Sequence, residues 1–138
     1  MIIINKRNLF FLISVLSTLL SAQNVTISTP HTQLLLSVPN GGTPEQLYYG
    51  SRTSDADIRS ICETARRRNA YPVYGMGYPC ETALSVRHAD GNLTLQMAVI
   101  GVKETRLTKE NATLTVIELK DKVYPFFVNI CYKAWQDA

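Results

Sequence analysis

The spacing of apolar and polar positions changes several times along this chain, and each change marks a boundary. Leu9–Leu20 is an unbroken apolar segment interrupted only by serine and threonine. Beyond it, Val25–Thr29 and Gln33–Val38 read as strands separated by Pro30 and His31, and Pro39-Asn40-Gly41-Gly42 stops the second. Gln46–Tyr49 is a third, short strand ending at Gly50. The period then lengthens. Ile58, Ile61, Cys62 and Ala65 recur at the i, i+3, i+4, i+7 spacing of one helix face. Ser54 stands where an N-cap belongs, with Asp57 three residues on, and Glu63 and Arg67 form an i,i+4 pair.

Alternation returns at Thr82–His88, with Leu84 and Val86 on one face and Ser85 and Arg87 on the other. Asp90-Gly91 supplies the positive φ angles of a tight hairpin turn, and Leu93–Val102 is the expected return strand. Ala112–Leu119 is a β-branched run, and Asp121-Lys122 turns it into Tyr124–Trp135. That last segment carries apolar residues on both faces, as in a strand within a layered sheet. The expected fold is all-β, an antiparallel β-sandwich of about eight strands with one short α-helix.

Charge and composition refine this picture. Lys6 and Arg7 precede the apolar segment and Ser21-Ala22-Gln23 follows it, which is the form of a secretory signal peptide spanning residues 1–22. Export to the periplasm or the extracellular space is expected. The segment is shorter than the roughly 20 residues of a membrane span, so no membrane span is expected. The 138-residue chain has a formal charge of +3, and without residues 1–22 it keeps 12 basic and 11 acidic residues, a charge of +1. Arg66-Arg67-Arg68 is the concentrated charge that remains, and it reads as a solvated helix end. It lacks the broad basic face and stacking aromatics that nucleic acid requires, so no nucleic-acid partner is expected.

Cys62, Cys80 and Cys131 are an odd count for an exported chain, which allows one bridge at most. They read as buried thiols, with a Cys62–Cys80 link as the alternative. Without a Cys-x-x-Cys spacing, and with His31 and His88 isolated, neither a metal nor another cofactor is expected. Asn24-Val25-Thr26, Asn92-Leu93-Thr94 and Asn111-Ala112-Thr113 match the glycosylation acceptor pattern but read as strand and turn residues. Tyr48, Tyr49, Tyr71, Tyr74 and Tyr78 could offer ring faces to a sugar; core and turn packing is the expectation.

Four segments, in order, carry a family resemblance: Gln46-Leu47-Tyr48-Tyr49-Gly50-Ser51-Arg52, Ala70–Gly75 with its Tyr-Pro-x-Tyr-Gly, His88–Leu95 with its His-Ala-Asp-Gly-Asn-Leu, and Lys120–Lys133. Together they resemble the amino-terminal domain of family 36 glycoside hydrolases, mostly α-galactosidases. The resemblance implies part of a β-supersandwich over residues 23–138, a domain that normally precedes a (β/α)₈ catalytic barrel. It also implies a retaining reaction on terminal α-galactosides by two aspartates, both on the barrel. Trp135-Gln136-Asp137 and Ser54-Asp55-Ala56-Asp57-Ile58-Arg59 echo the two barrel motifs, but they read as a strand end and a helix start. Tyr78-Pro79-Cys80-Glu81 departs from the family's Asp-aromatic-Arg-x-Pro pattern.

The resemblance further implies that a carboxylate between the Tyr-Gly turn and the Tyr-Pro-x-Tyr-Gly element can reach galactose hydroxyls. Asp55 and Asp57 are the aspartates in that interval, with helix capping as their other role. The leading expectation is an amino-terminal scaffold piece of an exported α-galactosidase-like hydrolase, without catalytic residues of its own. Its α-galactoside oligosaccharide would bind through a catalytic domain outside this chain, in a family whose full-length members often form homo-oligomers. Missing sandwich strands would then leave Leu114, Val116 and Phe127 exposed. The other expectation is a free-standing secreted β-sandwich module that binds carbohydrate or protein through its loops.

Overall fold

The computed structural model describes residues 23–137. The signal peptide expected over residues 1–22 lies outside the described residues. In chain order the elements are β1 (Gln23–Ser28), β2 (Thr32–Val38), β3 (Glu45–Ser51), α1 (Asp55–Thr64), β4 (Arg68–Asn69), β5 (Met97–Leu107), a 3₁₀ turn (Thr108–Glu110), β6 (Ala112–Asp121) and β7 (Phe127–Trp135). They build two antiparallel sheets, ordered β1-β2-β3-β4 and β5-β6-β7.

The registers explain how a core forms between the sheets. Val25 lies opposite Leu36 and Ile27 opposite Leu34, so alternate residues of β1 and β2 present apolar side chains to one side. In the second sheet Ile117 lies opposite Val102 and Ile130, and Leu119 opposite Val99 and Val128. Val25, Leu36 and Val38 close on Met97, Val99, Ile117 and Leu119, and Val73 and Leu95 from the intervening loop complete the cluster. Face-to-face burial of this kind makes a β-sandwich.

β2 is buried on its other face as well. Gln33, only 4% exposed, accepts from Thr53 N at 2.9 Å and from Thr53 Oγ1 at 3.1 Å. Arg67 donates to Ser37 Oγ at 3.0 Å and to Glu45 Oε2 at 2.9 Å. The segment carrying α1 therefore lies over the outer face of the first sheet, joined to it through polar contacts. The predicted cap is present: Ser54 Oγ accepts from Asp57 N while the Asp57 carboxylate takes the Ser54 N–H. The predicted apolar face turns inward as expected, with Ile58, Ile61, Cys62 and Ala65 half-buried and the rest of the helix exposed, although no residue of α1 is fully buried. The chain leaves the helix at Ala65, with ψ 141°, so Arg67 pairs with Glu45 rather than Glu63.

Two predicted strands change. Thr82–His88 forms no paired strand; a single parallel bridge joins Val73 to Leu84, although Leu84 and Val86 still pack on the core. The Asp90-Gly91 turn forms, with Gly91 N donating to His88 O and His88 N to Asn92 O, each at 2.9 Å. No ladder extends from it, because the backbone donors that follow are already committed. Thr94 N goes to Asn92 Oδ1, Leu95 N to Tyr74 O and Gln96 N to Asp121 Oδ2. Ladder pairing therefore starts at Met97 and runs on to Leu107.

β7 starts at Phe127 for the same reason, since Tyr124 N is taken by Asp121 Oδ1. It is an edge strand with one face on the core, not a strand buried on both faces. Phe127 and Trp135 are 58% and 44% exposed on its outer side, as expected for Phe127, whereas Leu114 and Val116 are half-buried. The cysteines also correct the sequence reading. All three are free thiols, Cys62 half-buried and Cys80 and Cys131 exposed, so they are neither core residues nor a Cys62–Cys80 bridge. Cys62 Sγ instead receives Asn24 Nδ2 at 3.2 Å.

Asp121 is a buried carboxylate that gathers backbone donors from two irregular segments. It is 1% exposed, and its carboxylate accepts from Gln96 N and Val123 N at 2.7 Å and from Tyr124 N at 2.9 Å. Burial works against ionisation, but the three backbone donors together outweigh it and hold the carboxyl below its ordinary 3.8. A depressed folded-state pKa contributes stability that is complete above the unfolded value and is lost as pH falls through the folded one.

Asp121→Asn should therefore destabilise the chain near pH 7 by about 1–3 kcal/mol. The gap to the parent should narrow as pH falls below about 3.8. Urea unfolding at several pH values checks this, and a gap independent of pH would contradict it. In the same assay Leu119→Ala, at a residue 1% exposed, should cost about 2–5 kcal/mol. Leu114→Ala, on the outer face of the same strand, should cost clearly less.

Candidate functional site

The carboxylates singled out from the sequence sit on the first turn of α1. Asp57 is the third helical residue, and its Oδ2 accepts from Ser54 Oγ at 2.7 Å and from Ser54 N at 3.4 Å. Its principal work is therefore capping. Asp55 is the first residue of the helix and is solvent-exposed, where the positive end of the helix dipole favours a carboxylate. The turn leading into this helix is closed by Tyr48, whose hydroxyl donates to Ser51 O at 2.8 Å. Gly50 leaves room for that ring, since a Cβ there would lie 2.6 Å from Tyr48 Oη and displace it.

The tyrosines divide. Tyr71 packs against the core, and Tyr48 is half-buried. Tyr49, Tyr74 and Tyr78 are 68%, 48% and 42% exposed, which departs from the expectation of core and turn packing. Tyr74 and Tyr78 flank Met76, also exposed at 43%, in a loop with positive φ at Gly75 and Gly77. Gly75 is fixed by more than its φ of 93°, since a Cβ there would approach Thr94 Cγ2 to 2.5 Å. That close approach lets Tyr74 O receive Leu95 N at 2.9 Å, so the loop lies flat against the 92–96 segment.

A second cluster was not foreseen as a unit. His88 stacks on Tyr124 with ring centroids 3.6 Å apart and planes within 9°, and meets Phe126 edge-on at 6.3 Å. Tyr124 Oη donates to Asp90 Oδ2 at 2.6 Å and accepts from Asn92 Nδ2 at 2.9 Å. His88, Ala89, Asp90, Tyr124, Pro125 and Phe126 line a cavity of about 360 Å³. Buried against it, His88 Nε2 has no hydrogen-bond partner among the described residues. The Tyr124 hydrogen bond and the Asn92 backbone hold the Asp90 carboxyl below the usual carboxylate range, and Asp90 in turn pushes the Tyr124 hydroxyl up.

Those shifts keep Asp90 ionised and Tyr124 protonated around neutrality, the opposite of what a proton-transferring pair needs. The arrangement is a clasp joining the Asp90 turn to the turn between β6 and β7. Both segments carry sequence motifs, but nothing in the sequence signals that residues 34 positions apart meet. The role of Asp121 did leave a local signal, because an aspartate that accepts the N–H groups two and three residues on is a recurrent turn device. Among the described residues no three His, Cys, Asp or Glu side chains are grouped to hold a metal ion, and no helix is long and apolar enough to cross a membrane.

Known proteins place this geometry. A search of curated proteins finds no match. Among solved structures the chain is similar to the α-galactosidase from Lactobacillus brevis, with a TM-score of 0.70 at 15% identity over 84% of this chain and 20% of that one. It is similar to the family 36 α-galactosidase from Geobacillus stearothermophilus in complex with 1-deoxygalactonojirimycin, with a TM-score of 0.69 at 16% identity, covering 83% and 20%. The galactosidase domain of an α-galactosidase–sucrose kinase gives 0.63 at 20% identity, covering 80% and 20%. These likenesses show a shared fold, and the chain spans about a fifth of the length of those proteins. The model of the glycosyl hydrolase family 36 N-terminal domain matches residues 42–138, from the turn before β3 through the last strand, and the chain belongs to that family.

Proposed function

We propose that this chain is the amino-terminal scaffold of an exported α-galactosidase-like glycoside hydrolase and is not catalytic by itself. The carrying observation is the family match over residues 42–138 on a fold that covers 84% of this chain and 20% of an α-galactosidase. Retaining glycoside hydrolysis needs two carboxyl groups about 5–5.5 Å apart on either side of the scissile bond. Here Asp57 is spent on its helix cap and Asp90 on its clasp. The substrate class is α-galactosides, a reading supported by a similar enzyme whose structure was solved with raffinose.

Within that scaffold Asp55 and Asp57 form the substrate-side element. Asp55 offers a solvent-exposed carboxylate able to accept from galactose hydroxyls, and Asp57 fixes the helix start that carries it. Residues 1–22 direct export in this reading, residues 23–138 form part of a β-supersandwich, and the full-length protein assembles as a homo-oligomer.

The full chain incubated with a chromogenic α-galactoside should release no chromophore above the blank. Turnover that persists in the Asp55→Asn/Asp57→Asn double variant would defeat the scaffold reading. Saturable binding to a glycan array by the chain alone would favour a free-standing carbohydrate-binding module instead.

A further inference from the structure

The charge of this chain is nearly balanced once residues 1–22 are set aside, yet three arginines stand in a row at 66–68. The structure separates their roles. Arg67 is committed to Ser37 and Glu45 on the first sheet. Arg66 and Arg68 instead line a cavity of about 410 Å³ between β3 and the carboxy-terminal end of α1, beside Gln46, Tyr49, Thr64 and the apolar Leu47 and Ile61. That volume is within the usual 300–1,000 Å³ range of small-molecule sites. Neither guanidinium makes an ion pair with a carboxylate of the described residues. Among the described residues no acidic one lines the cavity. The nearest in sequence and register are Glu63, on α1 outside the lining, and Glu45, already paired with Arg67.

The carbonyl end of α1 offers a partial explanation for positive charge here. A helix C-terminus carries a partial negative charge of about half an elementary charge. One guanidinium more than balances it and two leave the cavity net positive, with no basic residue in the last turn of α1 sharing the task. Beside the arginines, Tyr49 leaves 68% of its surface open. Two arginines without a carboxylate partner, Gln46 and an open aromatic residue along one lining bring together residue types suited to a small oxyanion.

We propose that the cavity bounded by Arg66, Arg68 and Tyr49 is a binding site for a small anionic ligand, held through the oxygens of a phosphate or carboxylate group. Arg66 and Arg68 donate to the anionic oxygens, and Tyr49 packs against the body of the ligand. Phosphate monoesters and sugar acids share this chemistry, and the test separates them.

The Arg Nε–Hε signals of the full chain are followed by NMR at constant ionic strength near pH 7 during titration with inorganic phosphate, a hexose phosphate and a hexuronate. Saturable shifts at Arg66 and Arg68, with Arg67 unmoved, are expected for at least one of the three, and the tightest identifies the ligand chemistry. Arg66→Gln and Arg68→Gln should each weaken that ligand at least about tenfold, the loss of one charge-assisted hydrogen bond. Arg66→Lys should restore part of it. Both arginines are exposed, so circular dichroism should show these variants folded. Shifts that stay linear in concentration for all three ligands, or that are equal in the glutamine variants, would overturn the proposal.

Discussion

The two sheets of this fold depend on one another at Val99. Gly41 N donates to Val99 O at 3.1 Å and Val99 N donates to Gly42 O at 2.8 Å, so the turn after β2 pairs with β5 in the opposite sheet. The β5–β6 register breaks between Val99 and Gly101 at the same place. A bulge bends a strand and frees backbone groups from its own ladder. Val99 itself stays paired with Leu119, and because β5 is an edge strand its outward N–H and C=O are free to tie one sheet to the other while its side chain, 2% exposed, enters the shared core. The first sheet also buries Leu35 and Leu47 on its outer face beneath the α1 segment, but the largest cluster lies between the two sheets, so the burial that stabilises each draws on the other.

The polar residues perform a complementary task around that core. Asp121 collects three backbone donors that the irregular 92–96 and 121–126 segments would otherwise leave unpaired, and Gln33 does the same for the chain entering α1. A buried backbone N–H without a partner is costly. Because these side chains meet that need, the segment from Ala70 to Gln96 keeps its place without forming a ladder. It can then present exposed tyrosines and glycine turns beside the sandwich.

Much of this was legible in the amino-acid sequence. Alternation located β1, β2, β3, β6 and β7, and the Ser54–Asp57 spacing located the helix start, because capping, turns and pleat are set by residues close in sequence. The four segments Gln46–Arg52, Ala70–Gly75, His88–Leu95 and Lys120–Lys133, taken together and in order, carried the family resemblance. Thr82–His88 misled for an instructive reason. Its alternation is real, with Leu84 and Val86 facing the core, but apolar alternation specifies a side to bury and not a partner to pair with. Cys131 misled in another way, since no local pattern distinguishes an edge strand from a central one.

The sequence by itself determined the fold class, the helix cap, the Asp-Gly turn and the family, all of which rest on interactions spanning a few residues or on ordered motifs. The tertiary structure alone decided which backbone donors were free to pair. It thereby decided where β5 and β7 begin, that Tyr124 clasps Asp90, and that Arg66 and Arg68 share a cavity while Arg67 is spent on Glu45. Each of these depends on chain segments tens of residues apart arriving at one place, and that arrival is settled by the burial of the shared core.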